Sequence, residues 1–470
     1  MRKTKMVCTI GPSTDGYNNI VRLIKCGMNV ARLNMSHGTL ESHQKTLDNV
    51  KKARADLNMP CAIMVDTCGP ELRIGTFESG KITLTKGQLF VFSTTKVNGT
   101  VNEVYCGYPA LLDILKPKQK LYANNGLLEF TIQQVENGKI LCKVDVGGEL
   151  SNHKSISIPK IRLPLPFISE KDEKNIEFAA KNDVEMISAS FVNRPSDVIE
   201  MRECIKKYGG RQEIISKIES AEGIANLDKI IDVSDGIMVA RGDMGTEIPI
   251  EQIPAVQKNM IEKTIEKAKR VIVATEMLES MTYKRRPTRA ETTDVAQAIY
   301  DGATATMLSG ETASGQYPFE AASTMSKIIT ATEKVIDYDK ELPSTCKNEH
   351  KNLVAICYSA CAAARSLNAK AIVCFTDKGK TAKMISRFNP KAKIIAITHD
   401  EFIYNDLSLA WGVYPVMSKV FDNFEDMLQN AEDIVKDLKI AKPGDTIVIT
   451  LGIPTKDKGT TNSIKITQIQ

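Results

Sequence analysis

The stretch of the chain best suited to chemistry is IISKIE at 214–219, an apolar run that predicts a β-strand. Side chains on a strand alternate between its two faces, so Lys217 and Glu219 point to the same side. A second apolar run, 235–243, is predicted as a strand that ends in the carboxylate of Asp243. One ammonium group and two carboxylates can together bind a phosphorylated substrate and a hard divalent cation such as Mg²⁺, which prefers oxygen ligands. For either run alone, the alternative is a buried salt bridge that only stabilises its strand.

The overall composition is that of an ordinary globular protein. Of the 470 residues, 42% are hydrophobic and 25% are charged, and the formal net charge is +5. A charge this small, without a long run of Lys or Arg, argues against binding to nucleic acid. Eleven cysteines without a CxxC pair predict reduced thiols and a cytoplasmic location, and no apolar run is long enough to predict a membrane span. With five histidines, a catalytic set built on histidine is not expected.

Eight short apolar runs alternate with helical segments along much of the chain. Strands that are apolar throughout and separated by helices predict a parallel (β/α)8 barrel rather than an open sheet, because both of their faces must be buried. The predicted strands are 5–11, 29–36, 61–67, 186–192, 213–219, 235–243, 270–276 and 303–310. The predicted helices include 39–57, 171–181, 195–207 and 255–269.

The alternation of strands and helices is interrupted twice, and each interruption predicts a further domain. At 70–164 the pattern changes to small strands with Gly and Asn turns, which predicts a β lid domain over the mouth of the barrel, where active sites of this fold form. The barrel then comprises 1–69 and 165–340, and a C-terminal α/β domain comprises 345–470. The strands predicted for the lid are 81–85, 89–93, 120–123, 130–136, 140–145 and 155–159. The elements predicted for the C-terminal domain are strands 371–375, 392–397 and 446–450 and helices 353–367, 380–388 and 423–437.

The predicted ends of the barrel strands carry polar residues of a restricted kind. They include cations, carboxylates and hydroxyls, but no nucleophile–base pair of the Ser-His or Cys-His type. Such a set suits positioning and charge neutralisation, which is what phosphoryl transfer requires of a protein. Its members are Arg32, Asn34, Ser36, His37, Asp66, Thr67, Lys217, Glu219, Gly242, Asp243, Thr275, Glu276 and 309–312.

Ten segments of the chain resemble the pyruvate kinase family and extend over nearly its whole length. The most specific are IISKIES (214–220), SDGIMVARGDMG (234–245) and MLSGETASGQYP (307–318). The others are VCTIGPST (7–14), ARLNMSHG (31–38), VDTCGPELR (65–73), GGELSN (147–152), ISASFV (187–192), ATEMLESM (274–281) and RPTRAE (286–291). The resemblance implies transfer of the phosphoryl group of phosphoenolpyruvate to ADP, giving pyruvate and ATP. It also implies Mg²⁺ or Mn²⁺ and K⁺ as cofactors, and a homotetramer.

The resemblance assigns roles to individual residues. Lys217 would stabilise the transferring phosphoryl group, and Arg32 would bind the phosphate. The remaining substrate contacts would come from Gly242, Asp243 and Thr275, with Thr275 also counted as catalytic. Mg²⁺ would be held by Glu219 and Asp243.

The resemblance also implies sites for a monovalent cation and for the nucleotide. The K⁺ ligands would be Asn34, Ser36, Asp66 and Thr67. The nucleotide contacts would be Asn34, His37, Arg73 and Lys154. Taken alone, Asn34 and Ser36 could instead cap the next turn, since such side chains commonly bond to local backbone, and Lys154 could be a solvated lysine.

The C-terminal domain is predicted to bind a phosphorylated effector. Strand 371–375 leads into a turn that contains Gly379, and a helix follows, so backbone N–H groups and the positive end of the helix dipole face an anion. The resemblance implies Thr376, Lys378 and Thr381 as effector contacts, beside a second loop at 459–462. The alternative is a solvated turn with surface lysines.

Three departures from the family pattern lie on the lid side. Cys68 stands where the family usually has Lys, Asn124-Asn125-Gly126 replaces Asp-Asp-Gly, and Ile158-Pro159-Lys160 replaces a Leu-Pro-Gly ending. Asn preserves the turn because it tolerates positive φ. These changes bear on nucleotide binding and lid closure, and they leave two rival functions open. One is a Mg²⁺-dependent barrel lyase acting on phosphoenolpyruvate or pyruvate, and the other is a catalytically weak homologue that senses sugar phosphates.

Overall fold

Eight parallel strands form a closed barrel, and the order of the strands around the barrel is their order along the chain. The computed structural model describes residues 2–70, 72–124, 126–159, 161, 165–338, 351–421, 423–453 and 461–470. The barrel strands are β1 Lys5–Ile10, β2 Val30–Asn34, β3 Ala62–Asp66, β4 Met186–Ala189, β5 Glu213–Ile218, β6 Gly236–Ala240, β7 Arg270–Ala274 and β8 Ala305–Leu308. All eight predicted runs contain a strand, which confirms the predicted barrel.

Two hydrophobic cores, inside and outside the barrel wall, explain why its strands are apolar throughout. Alternate residues such as Ile215 and Met238 pack with one another in the barrel interior. The residues between them, such as Ile214 and Ile237, pack against the surrounding helices. These helices are Tyr17–Cys26, Leu40–Leu57, Glu170–Lys181, Pro195–Lys207, Ala221–Ala225, Leu227–Val233, Arg241–Glu247, Ile253–Glu266, Arg289–Tyr300, Gly310–Ala313 and Pro318–Glu333. Short 3-10 turns occur at Ile250–Gln252 and Glu279–Thr282.

The prediction that the strand 235–243 continues to Asp243 is wrong. Strand β6 ends at Ala240, and a short helix, Arg241–Glu247, begins at the next residue. The chain turns here because the buried guanidinium of Arg241 donates to the carbonyl oxygen of Thr275 at 2.6 Å and pairs with Asp294 at 2.7 Å. Asp243 is therefore the third residue of a helix at the barrel mouth.

The lid lies in the chain between β3 and β4. All six predicted lid strands are confirmed, and the structure adds short strands that the sequence did not reveal. Among the described lid residues, seven of the nine strands form one sheet, and Lys81–Leu84 pairs with Gly148–Ser151 in a second. The lid elements are Leu72–Arg73, Lys81–Leu84, Leu89–Ser93, Glu103–Tyr105, Lys120–Ala123, Leu128–Glu136, Lys139–Val146, Gly148–Ser151, Ser155–Ser157 and the helix Leu111–Ile114.

In its described residues, the C-terminal domain contains a five-stranded sheet, with three predicted strands and two unpredicted ones. The missed strand Val413–Met417 contains Pro415, which argues against a central strand, and the structure places it at the sheet edge where Pro is tolerated. In sheet order the strands are Val413–Met417, Lys393–Thr398, Ala371–Phe375, Thr446–Leu451 and Ser463–Gln468. The helices are Lys351–Ser366, Lys380–Arg387, Glu401–Asp406 and Phe424–Asp437, with a 3-10 turn at Leu407–Leu409.

The C-terminal domain packs beneath the barrel, at the N-terminal ends of its strands. The Nζ of Lys5 on β1 donates to the carbonyl oxygen of Val413 at 2.6 Å, and burial lowers the pKa of Lys5 to about 7. Arg270 on β7 pairs with the buried carboxylate of Asp406 at 2.8 Å. The predicted effector loop therefore belongs to a domain on the opposite side of the barrel from the lid.

The predicted domain limits of 1–69 with 165–340, 70–164 and 345–470 stay a prediction, and position 345 lies outside the described residues. In the part of the chain that the structure describes, no helix has the length and apolar character to cross a membrane.

Candidate active site

Lys217 lies at the centre of a buried polar cluster at the barrel mouth. Ile215 faces the barrel interior, so the period of two along β5 directs Lys217 to the same side. Its Nζ donates to Ser190 Oγ at 2.7 Å and pairs with Glu219 Oε1 at 3.1 Å and Asp66 Oδ1 at 3.5 Å. Burial lowers the pKa of Lys217, but the carboxylates of Asp66 and Glu219 raise it more, so the net shift is upward. The ammonium group therefore stays protonated at neutral pH.

A second cation, Arg32, shares the carboxylate of Asp66 with Lys217. Arg32 Nε donates to Asp66 Oδ2 at 2.7 Å, Nη2 donates to the same oxygen, and Nη1 donates to Thr9 Oγ1 at 2.9 Å. Burial of Asp66 raises its pKa, but the charges of Arg32 and Lys217 lower it by more, so the group is ionised. Ser188 Oγ completes the arrangement by donating to Asp66 Oδ1 at 2.7 Å. The result is two fixed positive charges about one negative charge.

Glu219 and Asp243 provide a pair of carboxylates beside Lys217. Glu219 Oε2 accepts the backbone N–H of Phe191 at 2.6 Å, whereas its buried Oε1 lies 3.1 Å from the Lys217 ammonium. Burial raises the pKa of Glu219 to about 7; Lys217 counteracts this shift and the Asp243 charge adds to it.

A divalent cation fits this pair, since it would relieve the repulsion between the two carboxylates. Among the described residues there is no group of three or more His, Cys, Asp or Glu side chains arranged to hold a metal. Mg²⁺ takes much of its coordination shell from water and substrate oxygens, so two protein carboxylates are enough to hold it.

Thr275 is held in an uncommon backbone conformation at the end of β7. Its φ is 67°, in the left-handed region, and that of Glu276 is 55°. Such a conformation is costly for a β-branched residue and persists only where surrounding contacts impose it. Here Arg241 binds the Thr275 carbonyl oxygen, and the Gly242 N–H donates to Thr275 Oγ1 at 2.8 Å. The structure thus brings Gly242 and Thr275 together.

The four predicted K⁺ ligands lie at the adjacent ends of β2 and β3, where Asn34 is paired in register with Asp66. Asn34 Oδ1 accepts the Ser36 N–H at 3.2 Å, and the Thr67 carbonyl oxygen accepts Ser190 Oγ–H at 2.7 Å. A carbonyl-type oxygen has two lone pairs, so each of these keeps one for a cation. These oxygens suit a large monovalent ion, which does not require a strict coordination geometry. Asp66, however, is also bonded to Arg32.

The predicted nucleotide contacts meet at the boundary between barrel and lid. Arg73 lies on the lid strand Leu72–Arg73, and its Nη1 donates to the His153 carbonyl oxygen at 2.9 Å. The pKa of His37 is lowered, first by burial and then by the charges of Arg73, Lys171, Lys154 and Arg32. These side chains are therefore close enough to act on one another, and Lys171 is a cation that sequence reasoning missed.

A cavity of ≈ 550 Å³ lies between the barrel mouth and the lid. Its barrel side includes Asp243 and Phe191, and its lid side includes Leu72 and Ile156. The cavity is therefore continuous with the second carboxylate of the polar cluster.

The positions that depart from the family pattern have local roles where they are described. The N–H of Cys68 donates to Asp172 Oδ1 at 2.7 Å, and its thiol donates to the Met35 carbonyl oxygen at 3.4 Å. Asn124 has a φ of 53°, which confirms that this turn needs a residue tolerant of positive φ. Asn125 and Lys160 lie outside the described residues.

Two groups of predicted residues lie outside the cluster. At 309–312, Glu311 accepts backbone N–H groups of Leu278 and Ser309, and Thr312 donates to the Thr9 carbonyl oxygen, so the segment ties strand ends together. The effector residues Thr376, Lys378 and Thr381 belong to the C-terminal domain.

Sequence reasoning missed Ser188 and Ser190, which bond to Asp66, Thr67 and Lys217. The signal was present in ISASFV at 187–192, where two serines stand two residues apart in an apolar run and so share a face. Polar residues on one face at the C-terminal end of a barrel strand point to the active-site mouth.

The fold and this cluster together define a barrel phosphotransferase: buried cations and carboxylates stand at the strand ends, and the described part of the cluster contains no Ser-His or Cys-His pair.

Comparison with known proteins identifies the family. The family model "Pyruvate kinase, barrel domain" matches 1–322, and "Pyruvate kinase, alpha/beta domain" matches 354–467. The chain is 41% identical over 473 residues to a pyruvate kinase from Clostridium acetobutylicum, with 100% of both chains covered. It is 44% identical over 470 residues to one from Staphylococcus haemolyticus, covering 99% of this chain and 80% of that one. A solved pyruvate kinase from Cryptosporidium parvum matches with a TM-score of 0.90 at 37% identity, covering 100% of this chain and 96% of that one. The chain belongs to the pyruvate kinase family.

Proposed function

We propose that the cluster around Lys217 transfers the phosphoryl group of phosphoenolpyruvate to ADP, giving pyruvate and ATP. The observation that carries this assignment is the buried ammonium of Lys217 and guanidinium of Arg32, held on either side of Asp66. Fixed cations in a site shielded from water stabilise a transferring phosphoryl group without reorganising during the reaction.

Each residue of the cluster has a defined task in this reaction. Arg32 binds the phosphate, and Lys217 neutralises charge on the phosphoryl group and on the enolate that remains. Gly242 and Thr275 orient the carboxylate end of the substrate, and the strained backbone at Thr275 fixes that position. No protein nucleophile is required, because a phosphate oxygen of ADP attacks.

Glu219 and Asp243 would hold the divalent cation, Mg²⁺ or Mn²⁺. When bound, such an ion neutralises phosphate oxygens and orients both substrates. On the lid side, Asn34, His37, Arg73 and Lys154 would contact the nucleotide phosphates. Their convergence at the edge of the barrel supports this role, since a polyphosphate is favoured where several positive charges are close together.

A spectrophotometric assay that follows pyruvate and ATP separately tests this proposal. Formation of both from phosphoenolpyruvate and ADP supports the transferase. A barrel lyase would consume or form phosphoenolpyruvate or pyruvate without making ATP, and a weak homologue that only senses sugar phosphates would make neither. A cytoplasmic location, which the unpaired cysteines among the described residues favour, stays a prediction.

K⁺ is expected to activate the enzyme. Asn34, Ser36, Asp66 and Thr67 offer oxygen ligands with one formal negative charge, which suits a large monovalent ion. The measurement is the rate in K⁺ buffer against the rate in tetramethylammonium buffer free of Na⁺ and K⁺, at equal ionic strength. Equal rates in the two buffers would contradict this expectation.

We also propose that the C-terminal domain binds a phosphorylated effector at the loop before the helix Lys380–Arg387. Thr381 Oγ1 contacts Thr461 Oγ1 at 2.6 Å, so two loops meet there; Gly459 and Thr460 of the second loop lie outside the described residues. Two residues farther along the same helix, Lys383 pairs with Asp406 at 2.8 Å and also with Glu213 at the start of β5. Since β5 ends beside Lys217, the helix is linked to the catalytic strand.

Replacing both Thr381 and Lys378 by Ala is expected to abolish activation by the effector and to leave the unactivated kcat intact. The measurement is the half-saturating concentration of phosphoenolpyruvate with and without fructose 1,6-bisphosphate, AMP or ribose 5-phosphate. The matched control is Lys442→Ala, an exposed lysine before the strand Thr446–Leu451 and so at the opposite end of the parallel strands. Persistence of activation in the double variant, or no response to any of the three compounds, would refute the assignment. A homotetramer, as the resemblance implies, would let the effector act across subunits.

A further inference from the structure

The turn that follows β4 binds the end of β5 through three consecutive residues. Ser190 Oγ accepts from Lys217 Nζ at 2.7 Å, and the Phe191 N–H donates to Glu219 Oε2 at 2.6 Å. The next N–H, that of Val192, donates to the Lys217 carbonyl oxygen at 3.2 Å. Phe191 has a φ of 54°, a left-handed conformation that is uncommon for a bulky residue. This turn therefore positions the two side chains on which the proposed chemistry depends.

Ser190 also contacts both oxygens of Thr67, a predicted K⁺ ligand. Its hydroxyl donates to the Thr67 carbonyl oxygen at 2.7 Å, and its N–H donates to Thr67 Oγ1 at 3.1 Å. A hydroxyl has one proton. Ser190 gives that proton to the Thr67 carbonyl oxygen and accepts from Lys217, whose ammonium group can only donate. Ser190 is 2% exposed, so water does not readily replace either bond.

We propose that Ser190 is a positioning residue that couples the monovalent-cation site to Lys217. Through one hydroxyl, an oxygen that faces the cation and the ammonium that faces the phosphoryl group are held in a single hydrogen-bonded chain. Polarisation of the Thr67 carbonyl oxygen by a cation weakens it as an acceptor and shifts the Ser190 hydroxyl, which changes the position of the ammonium. This inference rests on the proposed function, because it assigns Ser190 to the same reaction.

The test compares Ser190→Ala with wild type in two measurements, one of them independent of turnover. In the assay, kcat is expected to fall by about tenfold or more with the KM for phosphoenolpyruvate changed far less, because a misplaced catalytic group lowers reactivity more than binding. The K⁺ concentration for half-maximal activation is expected to shift by at least about threefold, as loss of a coupled hydrogen bond changes an equilibrium by this order. Without substrates, the rise in thermal unfolding midpoint caused by K⁺ relative to tetramethylammonium is expected to shrink.

The matched control is Ser216→Ala. Ser216 is a fully buried serine on β5, next to Lys217 in sequence, but its hydroxyl bonds to Ser234 Oγ at 2.7 Å, away from the site. The Ser216→Ala variant loses a buried hydroxyl that is not part of the proposed hydrogen-bonded chain from Thr67 to Lys217. Its K⁺ response should therefore match that of wild type. If Ser190→Ala does not fold, Ser190→Cys takes its place, because Cys is similar in size to Ser but is a weaker hydrogen-bond donor. The kcat and the K⁺ response of Ser190→Cys should change in the same direction as expected for Ser190→Ala.

Wild-type K⁺ dependence in a folded Ser190→Ala or Ser190→Cys variant, in both measurements, would overturn the proposal. So would an equal shift in Ser216→Ala. Failure of the proposed function would be seen separately, since wild type itself would then make no ATP from phosphoenolpyruvate and ADP.

Discussion

Replacement of Lys217 by Met lowers kcat by several powers of ten while the barrel stays folded. The ammonium is paired with the carboxylates of both Asp66 and Glu219, and it is buried, with 12% of the side chain exposed. A positioned cation in such a site contributes about 3 kcal/mol or more at the transition state, which corresponds to a loss of over about 100-fold. The measurement is kcat at saturating phosphoenolpyruvate and ADP, together with circular dichroism and thermal unfolding.

The matched control for Lys217→Met is Lys263→Met. Lys263 lies on a barrel helix and pairs with the exposed carboxylate of Asp228 at 2.8 Å, so its loss should leave kcat unchanged. If Lys217→Met retained more than about a tenth of the wild-type kcat, the lost stabilisation would be under ~1.4 kcal/mol and Lys217 would not have this role.

Removal of divalent metal abolishes ATP formation, and Mg²⁺ or Mn²⁺ restores it. Glu219 and Asp243 place two carboxylates beside the site, and without a cation they repel the phosphate oxygens of both substrates. The measurement is activity after exhaustive EDTA treatment, with metal content determined on the same sample, followed by a Mg²⁺ titration.

The Asp243→Asn variant tests whether this carboxylate binds the divalent cation. Loss of one formal charge from the pair should raise the Mg²⁺ concentration for half-maximal activity by about tenfold or more. Glu251→Gln, at an exposed position on the 3-10 turn Ile250–Gln252, is the control and should titrate as wild type does. Full activity in a sample shown to contain no metal would refute the role of both carboxylates.

The elements that position the site could be predicted from sequence because local patterns determine them. The period of two places Lys217 and Glu219 on one face of β5, and the structure brings Lys217 Nζ within 3.1 Å of Glu219 Oε1. The sequence predicts that Asp243 lies on a strand, because GIMVA continues into RGD without a recognisable break. The break is made by a tertiary contact, the burial of Arg241 against Thr275 and Asp294, which no local pattern reveals.

Contacts between strands were the part that could not be predicted. Arg32 and Asp66 were assigned separate tasks, a phosphate contact and a K⁺ ligand, yet their side chains bond directly. Lys171 and His37 are far apart in the chain, and only the position of the helix Glu170–Lys181 brings the Lys171 ammonium near the His37 ring. Spacing along a chain identifies which side chains share a face of one element, but not which residue of another element meets them.

The most direct test of the central claim is phosphorus NMR of phosphoenolpyruvate and ADP incubated with the protein, Mg²⁺ and K⁺, with pyruvate measured in parallel. The account predicts that each molecule of phosphoenolpyruvate lost yields one ATP and one pyruvate, and that Lys217→Met suppresses all three changes together. Loss of phosphoenolpyruvate to inorganic phosphate without ATP, or equal rates in the wild type and Lys217→Met, would contradict it.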